Sequence, residues 1–268
     1  MIDLSGYTFA FLDVETTGLA SWFGDRVCEI AIVRTKGDEI ADTFQALVNP
    51  ERPISPGASR VNGLTDDDVC AAPRFAEVAE RAMTLLEDAI IICHNAPFDL
   101  GFVDSEFGRL GMEFCAPRVI DTLEIARRDY DFYSNSLPVV AGILHIEVPQ
   151  AHRAMADALT TRQVFYWFVG DLSRRGLQDL EELGEGYYSP KRSAQEVSLP
   201  PSVDEALKSG KRLHIVYVDR NGFETRRSVT PRQVLAFEDY VYLVAFCHTR
   251  EAERNFRLDR IIAMTMES

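Results

Sequence analysis

The sequence has little cysteine and no cysteine pattern. Five Cys stand at 28, 70, 93, 115 and 247 among 268 residues, an odd number with no C-x-x-C pair. That excludes a disulfide scaffold and a thiolate metal finger, and it fits reduced thiols in a cytoplasmic protein. No apolar run approaches the ~20 residues a membrane span needs. The first residues, MIDLSGYTFAFLD, lack a basic segment followed by an apolar one, so no signal peptide is expected. There is no internal repeat and no low-complexity tract. Positive charge is also short: 28 Lys+Arg stand against 42 Asp+Glu, a net −14. That rules out a basic coat over the whole surface. The deficit is uneven, since residues 205–268 hold 11 Lys+Arg and 9 Asp+Glu. The acid therefore belongs to the first 204 residues, and bound divalent metal would neutralise some of it.

Hydrophobic residues make up 46% of the chain, ample for a core. An apolar run over Tyr7–Leu12 reads as a strand buried on both faces. Two further strands, 26–36 and 39–48, are joined by Lys36-Gly37-Asp38 as a hairpin. The prolines and glycines of 49–63 exclude a long element there. Residues 73–88 show helical spacing, 89–93 a short buried strand, and Pro97 suits the first turn of a helix running on to Leu110. A strand over 118–121, helices over 121–128 and 137–144, and a long apolar helix over 154–172 complete an α/β layered domain at 1–172. Residues 173–202 lose apolar periodicity and read as a linker. After a short helix at 203–209, β-rich segments at 212–218, 223–229, 240–247 and 254–258 predict a small all-β domain over 203–268. Asn221-Gly222 is a hairpin signal there.

Chemistry gathers in three places. Asp13 and Glu15 stand at i, i+2 where the first strand ends, so they share a face. Two like charges one pleat apart repel unless a cation lies between them. Asp99 opens the helix after strand 89–93, and His152 with Asp157 forms an H-x4-D pair where the long helix begins. Strand ends and helix starts of an open α/β sheet converge on one crevice. His152 and Asp157 would lie roughly 140° apart on one helix, so His152 is expected on the preceding loop, bent back towards the carboxylates. Asn95 and His94 orient the turn or touch substrate. Phe98 and Phe102, one helical turn apart, stack on a base or belong to the core.

These motifs, LDVETTGL (12–19), HNAPFDLGF (94–102) and HRAMADA (152–158), with VNGLTDDDVCAAPRF (61–75), resemble the DEDDh 3′–5′ exonucleases. That is the family of the epsilon proofreading subunit of bacterial DNA polymerase III. The resemblance covers about residues 5–172 and implies a ribonuclease H-like fold, a mixed sheet with flanking helices. It implies two Mg²⁺ or Mn²⁺ ions held by Asp13, Glu15, Asp99 and Asp157, with His152 as general base. The product would be a nucleoside monophosphate freed from a 3′ end, DNA favoured. Thr16, Thr17 and Leu19 fall at positions that hold the terminal nucleotide in that family. A nucleotide or nucleic-acid sensor and an accessory proofreading subunit bound to a polymerase are the alternatives.

Residues 203–265, with Val241-Tyr242-Leu243 at the naming triplet and FRLDRI at 256–261, resemble a WYL domain, a small SH3-like barrel. The triplet lacks its Trp. Arg226, Arg227, Arg254, Arg257 and Arg260 lie on adjacent β segments and are expected to form one basic patch for phosphates. The resemblance implies that this domain binds single-stranded nucleic acid or a nucleotide effector.

Overall fold

A computed structural model describes residues 2–19, 21, 24–116, 118–148, 153–183, 200–219, 223–237 and 240–267. His152 and the Asn221-Gly222 turn lie outside the described residues. The chain divides into two compact units, Met1–Pro190 and Lys191–Ser268.

In the first unit, β1 (Thr8–Thr16), β2 (Val27–Lys36) and β3 (Glu39–Leu47) form an antiparallel meander. Two short helices follow, α1 (Pro56–Asn62) and α2 (Asp66–Val69), then α3 (Phe75–Leu86). β4 (Ile90–Cys93) leads into α4 (Ala96–Arg109), and β5 (Arg118–Asp121) into α5 (Thr122–Asp129). α6 (Leu137–Ile143) and α7 (Ala154–Arg174) close the layer. β4 runs parallel to both β1 and β5, so the sheet is mixed, in the order β3-β2-β1-β4-β5.

The apolar character of β1 places it at the centre. Its even residues Ala10, Leu12 and Val14 pack with Val78, Ala82 and Phe107 on one face. Its odd residues Phe9 and Phe11 meet Phe165 of α7 on the other, with ring centroids 5.2 and 5.8 Å apart. Each such buried side chain stabilises the fold by about 1.5–3 kcal/mol. The same alternation carries Asp13 and Glu15 to the α7 side where the strand runs out of core. No helix among the described residues is long and apolar enough to cross a membrane.

Residues 173–183, expected as the start of a linker, belong to this unit. α7 runs on to Arg174, and a turn of 3₁₀ helix at Leu180–Leu183 buries both end leucines against the α7 face, with Leu177 packed beside them. Spacings of three eclipse on a 3₁₀ turn, so three leucines suffice where helical periodicity sees none.

Among the described residues of the second unit, α8 (Pro201–Ser209) comes first. β6 (Leu213–Val218), β7 (Glu224–Phe237), β8 (Tyr240–Cys247), β9 (Ala252–Arg257) and β10 (Ile261–Met266) follow. The sheet is antiparallel throughout, in the order β10-β6-β7-β8-β9. Two features exceed the sequence reading. β7 continues past Pro231, because that residue sits where the β7–β8 register shifts and its missing N–H is tolerated there. β10 is an edge strand whose side chains are mostly wet, so it carries little apolar pattern.

Candidate active site

Asp13 and Glu15 leave the end of β1, and Asp157 lies in the first turn of α7. Each offers a carboxylate oxygen within 4.8 Å of the others. Asp99, in the first turn of α4, comes from the opposite face. It is 3% exposed, and its Oδ1 accepts the Val14 N–H at 3.1 Å, so it is tied to the strand between the other two. The four carboxylates therefore adjoin at one strand end.

Their electrostatics follow from that crowding. Burial first, then the charges of Asp99, Asp157 and Glu15, push the Asp13 carboxyl well above its usual range. Burial, then Asp157 and Glu29, raise Glu15 to about 7. Asp99 is raised by burial against the pull of the Val14 N–H. Oxygen donors, no thiolate, and mutual repulsion in a low-dielectric setting suit a hard divalent cation such as Mg²⁺ or Mn²⁺. The residues present fit that group.

Three residues that the sequence reading did not single out fix this cluster. Glu29 sits opposite Glu15 in the β1–β2 register and is fully buried. Burial alone would raise its carboxyl. Hydrogen bonds from Arg153 (Nε 3.0 Å, Nη2 2.9 Å), Gln45 (2.7 Å) and the Ala154 N–H (3.3 Å) outweigh that and hold it below. Glu29 thus anchors the residue pair at which α7 starts, three residues ahead of Asp157. The only trace in sequence is one carboxylate inside the apolar run VCEIAIV; buried charge demands a partner.

Asp121 is the third. Its carboxylate accepts N–H groups from Asn95 (2.9 Å), Ala96 (3.0 Å) and Leu123 (2.9 Å), so it caps α4 and α5 together. Asn95 takes a left-handed conformation at the head of α4 (φ 87°), which Asn tolerates better than most residues. His94 Nε2 lies 2.8 Å from the Asn135 carbonyl, which only accepts, so Nε2 carries the proton. Nδ1 lies 2.9 Å from the Thr122 hydroxyl, and burial lowers the imidazole pKa, keeping the ring neutral. His94 and Asn95 are thus built into the turn that delivers Asp99. A cavity of about 550 Å³ opens beside them, lined by Asp13, Asp157, His94, Asn95, Leu123, Arg127 and the Ser134–Pro138 stretch.

The remaining expected residues divide. Leu19 is 82% exposed. Thr16 and Thr17 are buried. The Thr16 hydroxyl donates to the Gly18 carbonyl at 2.6 Å, and the Thr17 hydroxyl donates to Asp25 while accepting the Arg26 N–H. Phe102 does not fit a stacking role: at 1% exposure it is sealed among Leu100, Val103 and Phe107, where no base reaches. Phe98 covers it, half-buried, with centroids 5.0 Å apart.

In the second unit four of the five arginines are spread over two depressions and an ion pair. Arg227 and Arg254 line a cavity of about 400 Å³ together with Arg250, Tyr217 and Phe256. Arg226 precedes Arg227 on β7 and alternates to the other face; it is absent from that cavity and borders, together with Arg227, a depression beside His214 and Met264. Arg257 is held by Asp259 (3.0 and 2.6 Å), and that guanidinium lowers the Asp259 carboxyl.

Comparison with known proteins agrees with this geometry. The exonuclease family profile matches residues 10–165, and the WYL domain profile matches 199–266. The PolC-type DNA polymerase III of Bacillus cereus is 33% identical over 211 residues, 77% of this chain but 15% of that polymerase. The Bacillus subtilis PolC-type enzyme is 37% identical over 180 residues, covering 66% of this chain and 12% of its own. This chain thus spans a small part of the polymerases it matches. Among solved structures, exonuclease X in complex with 5′ overhanging duplex DNA superposes with a TM-score of 0.51 at 24% identity. It covers 62% of this chain and 93% of its own. The nuclease domain of 3′hExo, a DEDDh family member bound to rAMP, gives 0.54 at 17%, covering 63% and 95%. The likeness to these two is one of fold, a ribonuclease H-like mixed α/β sheet. On the match over 10–165 and the three motifs it contains, this chain belongs to the exonuclease (RNase T) family, DEDDh-like in its motifs, with a WYL domain behind it.

Proposed function

We propose that this chain is a cytoplasmic, metal-dependent 3′–5′ exonuclease that releases nucleoside monophosphates from the 3′ end of nucleic acid, DNA favoured. The observation that carries the reading is the approach of Asp13, Glu15 and Asp157 within 4.8 Å, with Asp99 tied to the same strand end. Two Mg²⁺ or Mn²⁺ ions, when bound, supply a Lewis acid for the scissile phosphate and lower the pKa of a water. Asp13, Glu15, Asp99 and Asp157 would hold them, Asp13 lying next to the other three carboxylates. His152, one residue before the anchored Arg153, takes the proton of the attacking water. Leu19, exposed just past the end of β1, lies against the terminal base. The backbone of Thr16 and Thr17, Asn95 and the outer face of Phe98 border that nucleotide.

The second unit holds the single strand or a nucleotide effector. Its antiparallel sheet supports the SH3-like barrel that the WYL match implies, and the Arg227–Arg250–Arg254 cavity is its anion site.

The test is turnover on 3′-labelled single-stranded DNA with Mg²⁺ or Mn²⁺. EDTA or Asp13→Ala lowers the rate by at least ~10³-fold. Undiminished degradation with Asp13 and Glu15 both replaced overturns the assignment. A second reading, a proofreading partner of a polymerase, draws on the match to PolC-type enzymes. Co-purification with a polymerase supports it, and a chain that elutes alone at working concentration counts against it.

A further inference from the structure

The cavity that holds Asp13 and Asp157 has a second wall that metal chemistry does not account for. Leu123 and Arg127, one turn apart on α5, both line it, and Asn135 stands in the same lining. Thr122, Ile125 and Ala126 bury the other side of that helix, which fixes its rotation.

Two arginines end α5 and they differ. Arg128 is engaged by Asp129 through Nε at 3.0 Å and Nη2 at 2.8 Å. Arg127 is exposed and has no side-chain hydrogen bond or ion pair among the described residues. A helix C-terminus favours any cation, which explains either arginine there but not why one of them borders the cavity. Among the described lining residues, Arg127 is the one permanent cation. Asn135 adds a second sign of an unmet ligand. Its side-chain Oδ1 is buried and has no hydrogen-bond partner among the described residues.

A polynucleotide brings more than its scissile phosphate. The four carboxylates repel each phosphate that no cation covers, so the next link along the strand needs a counter-charge of its own. Resting on the exonuclease reading, we infer that Arg127 is a substrate-binding residue that holds the first non-scissile phosphate of the bound strand. Its guanidinium suits that role because it presents paired donors and stays charged at every working pH. The enzyme then grips the terminal nucleotide with the carboxylate cluster and the chain behind it with α5.

The experiment compares wild type, Arg127→Ala and Arg127→Lys on two substrates with Mn²⁺. One is a 3′-labelled single-stranded DNA oligonucleotide. The other is the p-nitrophenyl ester of thymidine 5′-monophosphate, which carries the scissile phosphate alone. Arg127→Ala raises KM for the oligonucleotide by about tenfold with kcat within about twofold, the loss of one charge-assisted contact. The log–log dependence of oligonucleotide KM on salt flattens by ~0.7, one phosphate's worth on a single strand. Turnover of the ester is unchanged, which also certifies the fold, and Arg127→Lys recovers part of the oligonucleotide KM. Wild-type KM and salt slope in Arg127→Ala overturn the inference, and so does an equal loss on both substrates. Wild-type protein that cleaves neither substrate overturns the exonuclease reading and this inference with it.

Discussion

The two units handle charge in opposite ways. In the first, residues distant in sequence converge. Asp13, Glu15, Asp99 and Asp157 come from β1, α4 and α7, yet meet at one strand end. In the second, residues close in sequence diverge. Arg226 and Arg227 are neighbours on β7 and both border the depression beside His214, yet only Arg227 also reaches the cavity that holds Arg254. Topology makes the difference. Parallel crossovers bring β1, β4 and β5 into the sheet in the same sense, so their ends and the helix starts that follow accumulate at one edge. An antiparallel meander sends alternate side chains to alternate faces, and adjacency in sequence becomes separation in space. Convergence of like charge also needs supports, here Glu29, Arg153 and Asp121; the spread arginines need less, and Arg257 has its counter-ion two residues away in Asp259.

The comparison breaks most easily at those supports. Glu29→Gln leaves Arg153 without its counter-charge and the Ala154 N–H with a weaker acceptor. The first unit loses about 2–3 kcal/mol, less than a fully buried pair would because Arg153 is a third exposed. Urea unfolding followed at Trp167 reads this, and kcat falls with it. A variant as stable and active as wild type removes Glu29 from the support.

Next in size is the effect of pH on metal-free protein. Glu15 rises from 4.5 to about 7 on folding, and Asp13 and Asp99 are raised as well. The folded state therefore binds more protons than the unfolded one across that window. Stability is greatest below about pH 4.5 as far as Glu15 is concerned and falls as pH climbs through 7. In EDTA, the first unit melts about 3–8 °C lower at pH 8 than at pH 5.5, and Mn²⁺ restores more at pH 8 than at pH 5.5. Calorimetry that finds the metal-free protein more stable at pH 8 contradicts the crowding described here.

The smallest effects belong to the second unit. Arg227→Ala with Arg254→Ala weakens single-strand binding about three- to tenfold at low salt, whereas Arg257→Ala, already held by Asp259, changes it by less than about twofold. Filter binding across a salt series measures both. Equal losses restore the single patch expected from sequence.

Much of the first unit was legible because its signals are periodic or ordered. The apolar run of β1, the hairpin at Lys36–Asp38 and the start of α7 follow from pattern alone, and the carboxylates stand in recognisable motifs. What escaped was decided by tertiary contacts. Phe98 and Phe102 share a helical face, and spacing cannot say which is the inner one. Glu29 looks like any single charge in a strand until the guanidinium opposite it is placed. Asp121 reads as a strand end, although it ties two turns together. The continuation of β7 through Pro231 depends on a bulge, which leaves no local signal.

The register that sets Glu15 opposite Glu29 has a further consequence. The two carboxylates face each other across adjacent strands, but only Glu29 owns an arginine. The pair is therefore split, with one side chain ionised under all working conditions and the other retaining its proton near neutrality. A cation entering the cluster must expel that proton, so loading the enzyme acidifies its surroundings and its apparent affinity tracks the local proton supply.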